Sequence, residues 1–172
     1  AGENLSSSKE NWNVSATVAF TGLQLQAYKK IAATYSKTNY AIAINLSQHY
    51  LWVFERKTKN SPWTLRNEWR CSNGKSLTPT PAVNLLLSGA KRYKNPTYNP
   101  DNELYKSSFY YMTYIAKGKY IHTPLYQRGS TTRYRDKRMG MSISNGCVRV
   151  KTPYAIWVYK NIKKGTRCIT YY

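Results

Sequence analysis

The run Tyr40-Ala41-Ile42-Ala43-Ile44-Asn45-Leu46, followed after Ser47-Gln48-His49 by Tyr50-Leu51-Trp52-Val53-Phe54-Glu55, decides the fold class. The first run alternates its side chains as a strand does. The second is rich in aromatic and β-branched residues, which pack well on a pleated surface. The polar residues between them are turn-like, so the two runs read as a β-hairpin.

Working outward from the hairpin, residues 63–72 read as a third strand that ends at Asn73-Gly74-Lys75. Thr78-Pro79-Thr80-Pro81 is excluded from a central strand, because each proline lacks a donor, and reads as an extended connector. Residues 83–87 form a short apolar strand. Residues 91–103, with Pro96, Pro100 and several Asn and Tyr, read as a long irregular loop. Strands are expected at 109–115 and 120–124. Residues 126–140 are basic and polar with no clear period, which reads as loop. Cys147-Val148-Arg149-Val150 fits a strand or a first helical turn. Thr152 as N-cap and Pro153 as first helical residue start a helix that runs to Asn161. A last strand covers 166–171.

Upstream of the hairpin, residues 1–38 have another character. The start is polar and Ser-rich, and Ala1-Gly2-Glu3-Asn4 reads as a trimmed end, from which any secretion signal or anchor would already be gone. A helix is expected over about residues 22–34, with Leu23, Leu25, Tyr28, Ile31 and Ala32 mostly on one side. Ser36-Lys37-Thr38-Asn39 reads as a linker. Residues 1–38 are thus an N-terminal, partly helical extension: either the remnant of a preceding domain or an arm packed on the main one. Residues 39–172 form a mainly β domain with one C-terminal helix.

The chain has 172 residues, enough for one domain with a sizeable core. Its longest apolar runs fall well short of the roughly 18 residues of a membrane helix. The net charge of +20, with 17 Tyr among the aromatics, leaves three meanings open: nucleic-acid binding, an anionic membrane or wall surface, or a solvated surface. The basic residues are spread along the chain, and the densest cluster, within residues 128–138, lies on no reading helix. No helix-turn-helix, zinc-finger or RNP pattern is present.

The cysteines are Cys71, Cys147 and Cys168. No pair has zinc-ligand spacing, so neither a metal nor another cofactor is expected. An odd count allows a Cys71–Cys168 disulfide with Cys147 free, or three free thiols with two of them buried. Ser142-Ile143-Ser144-Asn145-Gly146-Cys147-Val148-Arg149-Val150 places a thiol directly after a small-residue turn. Gly146 lets the backbone turn sharply and present N–H groups of the kind that hold an oxyanion. Attack requires a thiolate, hence a base or cation nearby. His122, in Tyr120-Ile121-His122-Thr123, is the candidate base, and Arg149 adds positive potential. The same residues also fit a buried structural thiol after a plain turn and a half-buried strand histidine. His49, at a polar hairpin turn, carries no chemistry in this reading. Asp101, Glu103 and Asp136 are too scattered for a paired-carboxylate site.

Ser144-Asn145-Gly146-Cys147-Val148-Arg149 resembles the Ser-(His/Lys)-Gly-Cys-x-Arg signature of the L,D-transpeptidases, the YkuD-type catalytic domain of bacterial cell-wall enzymes. Ile42 to Gln48 with Leu51-Trp52-Val53-Phe54 is similar to the opening hairpin of that domain. Cys71-Ser72-Asn73-Gly74-Lys75 with Thr78-Pro79-Thr80-Pro81 resembles its small-Gly-Lys and Thr-Pro-Thr-Pro segment, and Ile121-His122 its histidine strand. The resemblance covers residues 40–172 with the motifs in order. Asn145 stands where the family usually has His or Lys. Ala82-Val83-Asn84 replaces its usual Gly and aromatic, and the segment between His122 and Cys147 is longer and Arg-rich.

The resemblance implies a β-sandwich-like domain of mixed sheets. It implies Cys147 as nucleophile, His122 as base, the Thr123 carbonyl as its orienter, and the Gly146 and Cys147 N–H groups as oxyanion donors. Arg149, with Ser144 and Asn145, would shape the site or hold a substrate carboxylate. The implied reaction is acyl transfer from a peptidoglycan stem tetrapeptide, with loss of D-Ala and formation of a 3→3 cross-link. Hydrolysis by the same site, as an L,D-carboxypeptidase, and a non-catalytic basic module for wall polymer or nucleic acid are the alternatives. Stem peptides and carbapenem-type inhibitors are the expected partners, with anionic wall polymers a further one and nucleic acid not expected. The expected location is outside the cell, secreted or membrane-anchored, in the bacterial cell wall.

Overall fold

The computed structural model describes Phe20, residues 22–96 and residues 106–172. The Ser-rich start and much of the 91–103 loop lie outside the described residues. Among the described residues there are fourteen short strands and two helices. The fold is mostly β, with mixed sheets and one C-terminal helix.

The hairpin that decided the class is the centre of the main sheet. Strand β1 (Tyr40–Asn45) pairs antiparallel with β2 (Tyr50–Glu55), which pairs with β3 (Thr64–Arg70). On its other side β1 lies parallel to the last strand, β14 (Arg167–Tyr171), which pairs with β5 (Val83–Leu86). The order is therefore β3-β2-β1-β14-β5. The 46–49 turn is held by Asn45, whose Oδ1 accepts Ser47 N–H at 3.1 Å and Gln48 N–H at 2.9 Å.

Both faces of this sheet are covered, because alternate residues of a strand point opposite ways. Ile42, Ile44, Leu51 and Val53 face the main core, while Ala41, Ala43, Trp52 and Phe54 face helix α1 (Gly22–Ala32). The small alanines let the helix approach, and its Ala27, Tyr28 and Ile31 are buried there. Each fully buried large apolar side chain contributes roughly 1.5–3 kcal/mol. The described helix of the N-terminal extension thus packs on the sheet. Its linker is tied down too: Ser36 Oγ donates to Tyr40 O at 2.7 Å and accepts Arg167 N–H at 3.1 Å.

Across the main core lies a second sheet, in order β13-β9-β8-β6, of Val148–Arg149, Lys119–His122, Tyr110–Ala116 and Lys91–Lys94. Lys117 and Gly118, at φ 52° and 73°, make the tight turn between β8 and β9. Helix α2 (Thr152–Asn161) closes the core with Ala155 and Val158, and the Trp69 ring stacks on Tyr154 at 4.6 Å. Smaller sheets join β7 (Ser107–Ser108), β10 (Leu125–Gln127) and β11 (Tyr134–Asp136), and β4 (Asn73–Gly74) with β12 (Ser142–Ser144).

The structure differs from the sequence reading in three places. Lys91–Lys94, expected as loop, is an edge strand recruited by β8 through Lys91↔Thr113 and Arg92↔Met112. The 126–140 loop contains part of β10 and all of β11, paired with each other rather than through any period of their own. Thr152 is inside the helix and not its cap. Lys151 occupies the cap position without a side-chain bond, since its ammonium has no acceptor to offer the helix N–H groups, and the Thr152 hydroxyl is hydrogen-bonded to the Tyr126 hydroxyl. Of the two alternatives left open for the cysteines, the structure has three free thiols, with Cys71 and Cys168 unpaired. Both are fully buried in the main core, and burial pushes each thiol up to about 12.

Candidate active site

Strand alternation decides what the second sheet offers on its outer face. Ile121 and Val148 are register partners and point into the core. Their neighbours therefore point the other way: Tyr120 and His122 from β9, Cys147 and Arg149 from the start of β13. The parallel register sets Arg149 opposite His122. Phe109, Met112 and Leu125 form a small apolar cluster on this side. Cys147, His122, Arg149, Lys119 and Phe109 line one cavity of about 270 Å³.

The turn before Cys147 is fixed by a bond to each of its carbonyls. Ser144 O accepts from Lys75 N at 3.0 Å and from Thr78 Oγ1 at 3.0 Å. Asn145 O accepts from Lys119 Nζ at 2.9 Å. Gly146 O accepts from Thr80 Oγ1 at 2.8 Å, and Cys147 O from Ser144 Oγ at 2.6 Å. Gly146 itself sits at φ 120°, where an L side chain is strained. The Thr-Pro-Thr-Pro connector is thus a brace: its rigid prolines present two hydroxyls to the turn.

Two of the nominated residues take other parts. The Gly146 N–H donates to Ser144 Oγ at 3.0 Å, so it is engaged within the turn instead of being an open oxyanion donor. The Ser144 hydroxyl, bonded in both directions and 2% exposed, shapes the turn. Asn145 is exposed at the mouth.

His122 is buried, with its ring stacked on Phe109 at 4.2 Å between centroids. Its Nδ1 lies 2.6 Å from Thr123 O. A carbonyl only accepts, so Nδ1 carries the proton and Nε2 keeps its lone pair. Burial, then the charge of Arg149, push the imidazole down to about 3, against the favourable bond to Thr123 O. The Cys147 Sγ accepts the Tyr120 N–H at 3.4 Å. Burial raises its thiol, while that N–H and the charges of Lys119 and Arg149 act in the lowering direction. At neutral pH the pair rests as thiol and neutral imidazole.

A stability prediction follows from the histidine. An exposed imidazole titrates near 6.5, the folded one near 3, so between these values the unfolded chain binds more protons. The contribution is complete above pH 6.5 and falls as pH drops toward 3, by up to about 1.4 kcal/mol per pH unit. Urea unfolding between pH 7 and pH 4 should show this fall, and His122→Gln should flatten it. Equal slopes in the two proteins would contradict the buried neutral imidazole. Asp136, held down to about 2 chiefly by its bonds to Arg138, acts only in a more acidic window.

Arg149 is 5% exposed, and its Nη1 donates to Asp136 at 3.3 Å. Asp136 also accepts from Arg138 at 2.8 Å and 3.0 Å. The basic 126–140 segment is therefore tied to the site through a carboxylate that sequence spacing gave no reason to choose. Lys119 and Thr80 went unnominated as well. The signal for Thr80 was its place in the Thr-Pro-Thr-Pro motif, whereas Lys119 has none in the sequence. Among the described residues, no three His, Cys, Asp or Glu side chains are grouped to hold a metal.

A family profile described as the L,D-transpeptidase catalytic domain, YkuD, matches residues 39–169. No curated protein matches the chain significantly. Among solved structures, a fused Zn-dependent amidase/peptidase/peptidoglycan-binding domain-containing protein from Clostridium acetobutylicum aligns at TM-score 0.61 and 22% identity, over 85% of this chain and 58% of that one. An L,D-transpeptidase from Mycobacterium smegmatis aligns at TM-score 0.54 and 18% identity, over 78% of this chain and 59% of its own. L,D-transpeptidase 3 from Mycobacterium tuberculosis, in complex with a faropenem-derived adduct, aligns at TM-score 0.56 and 18% identity, over 78% and 60%. The chain thus spans somewhat under two thirds of each. These identities speak for the shared fold, and the profile match covers most of the sequence: the chain belongs to the family of L,D-transpeptidase catalytic domains.

Proposed function

We propose that this domain is a peptidoglycan L,D-transpeptidase working through an acyl-enzyme on Cys147, with His122 as base. The observation that carries this reading is the shared cavity: thiol and imidazole lie on one face of paired strands, and the bond to Thr123 leaves His122 Nε2 as a proton acceptor. With a neutral pair, proton removal accompanies attack. Nε2 takes the Cys147 proton as sulfur adds to the carbonyl of the third stem residue, a diamino acid. The Cys147 N–H is the donor at the turn for the oxyanion, given that the Gly146 N–H is bonded to Ser144. The imidazolium returns its proton to the departing amine of D-Ala. The amine of a second stem then attacks the thioester and loses its proton to Nε2. Collapse of that adduct forms the 3→3 amide, and the imidazolium reprotonates the sulfur.

The setting is the bacterial cell wall, outside the cell, where the +20 charge would hold the protein against anionic polymers. Mass spectrometry of products from a purified stem tetrapeptide tests the reaction. Release of D-Ala together with a 3→3 dimer is expected. D-Ala with tripeptide and no dimer would make the site an L,D-carboxypeptidase. No turnover and no thiol labelling above that of a free cysteine would leave only a binding module.

A further inference from the structure

The four residues of β9 bring three groups to the turn that carries Cys147. His122 is the base, the Tyr120 N–H reaches Cys147 Sγ at 3.4 Å, and Lys119 Nζ donates to Asn145 O at 2.9 Å. The lysine stem lies across Gly146: a β-carbon on that glycine would sit 2.6 Å from Lys119 Cε and 2.9 Å from Cδ. The glycine therefore serves twice, once for the turn at φ 120° and once for the passage of the lysine. Lys119 is half-buried and lines the same cavity as Cys147.

No carboxylate side chain among the described residues neutralises this ammonium. Those carboxylates are Glu55, Glu68 and Asp136. Glu55 accepts from Arg66, Glu68 from Trp52 and Gln24, and Asp136 from Arg138 and Arg149. The other charged or titratable groups around the cavity are Tyr120 and His122 on β9, Arg149 on β13 and Arg92 on β6. Burial raises the Cys147 thiol, and the Tyr120 N–H, Lys119 and Arg149 act against it. Burial and then Arg149 lower the His122 imidazole. Arg149 thus eases departure of the proton from sulfur but opposes its arrival at the ring. Lys119 acts at the sulfur end alone.

We propose that Lys119 is a positioning residue for acyl transfer, holding the nucleophile turn by its Asn145 carbonyl and favouring the thiolate as sulfur passes its proton to His122 Nε2. The proposal rests on Cys147 being the nucleophile. When the proton leaves, the sulfur keeps the bonding pair and adds it to the carbonyl, while the ring becomes an imidazolium. A nearby cation favours the charged form of a thiol and disfavours that of an imidazole, so its place between the two decides its effect. The bond to Asn145 O fixes the ammonium two residues from Cys147, and the next N–H along β9 touches the sulfur. The charge therefore stands at the sulfur end of the pair. Lys119 takes up no proton itself and acts through the turn and through its field.

Alkylation of Cys147 by iodoacetamide reads the thiolate, because the ionised sulfur displaces iodide, and Cys71 and Cys168 are fully buried. The rate is followed against pH on the full chain for the parent protein, Lys119→Met, Lys119→Gln and Lys119→Arg. Met keeps an unbranched apolar stem against Gly146, and Arg keeps the charge. In the Met and Gln proteins the half-maximal rate is expected at higher pH, with alkylation at pH 7 about tenfold slower. Lys119→Arg should restore most of that rate. A purely structural role would lower the limiting rate at high pH and leave the midpoint in place. An unmoved midpoint would overturn the proposal, as would Met and Gln proteins that do not fold. With the stem tetrapeptide, kcat should fall about tenfold in the Met protein while KM holds within about twofold. A raised KM at unchanged kcat would make Lys119 a substrate contact and overturn the proposal. Absence of turnover by the parent protein would overturn the transpeptidase reading, and the alkylation midpoints would still decide whether Lys119 favours the thiolate.

Discussion

Replacing Cys147 with alanine is expected to lower turnover of a stem tetrapeptide by about 10⁴-fold or more, because the covalent step loses its nucleophile. The same substitution should abolish the mass adduct that a carbapenem leaves on the protein. Carbapenems imitate the acyl donor of this family, and a related L,D-transpeptidase has been solved in complex with imipenem, a carbapenem. The fold should be nearly indifferent. In the folded chain the Cys147 side chain accepts one long contact, the Tyr120 N–H at 3.4 Å, and the carbonyls around it are held by other residues. Thermal unfolding, product analysis and intact-mass measurement on the one protein separate these effects. Residual turnover within tenfold of the parent, or a carbapenem adduct on the alanine protein, would remove Cys147 from the mechanism.

The largest effect on stability is expected at Gly74. A β-carbon there would lie 2.2 Å from Thr78 O and 2.6 Å from Thr80 N, both backbone atoms of the proline-stiffened connector. No side chain can rotate to relieve that contact, so the connector itself has to move. Gly74→Ala is therefore expected to cost about 3 kcal/mol, the upper range for overpacking a close-packed site. The damage should not stay local. Gly74 N–H donates to Thr80 Oγ1, and Thr80 Oγ1 donates to Gly146 O, so a shifted connector withdraws support from the turn before Cys147. Activity should fall further than the folded fraction does. Gly129 provides the comparison: it has φ +77° but nothing within 4 Å of a β-carbon. Gly129→Ala should cost only the backbone strain, about 1–2 kcal/mol. Urea midpoints that rank the two substitutions the other way would contradict this account.

Much of this molecule was legible in short windows. The 40–55 hairpin, helix 152–161 and last strand could be read because period, proline position and turn composition are local properties. Cys147 after Gly146, and the single strand histidine at His122, were legible for the same reason. The edge strand Lys91–Lys94 was not, because its sequence, Lys-Arg-Tyr-Lys, has no strand pattern. It is extended because β8 offers it a row of backbone partners. Thr152 has the right identity for a cap but is taken by Tyr126, from a part of the chain whose proximity no local rule supplies.

The site divides along the same line. The sequence by itself determined which groups could do chemistry: one thiol after a glycine turn, one histidine on a strand, one arginine two positions beyond the thiol. The tertiary structure alone decided that they meet, because parallel pairing of β13 with β9 puts Cys147 and Arg149 on the same face as His122. It also decided that Asp136 closes on Arg149, that Lys119 holds Asn145 O, and that Thr80 reaches Gly146 O. It decided as well that Cys71 and Cys168 stay apart as core thiols and that Gly146 N–H is spent inside its own turn. Sequence carries the identity and the local conformation of each group. Hydrogen bonds and charge pairs between segments far apart in the chain depend on distance and direction, which exist only once the sheets have packed.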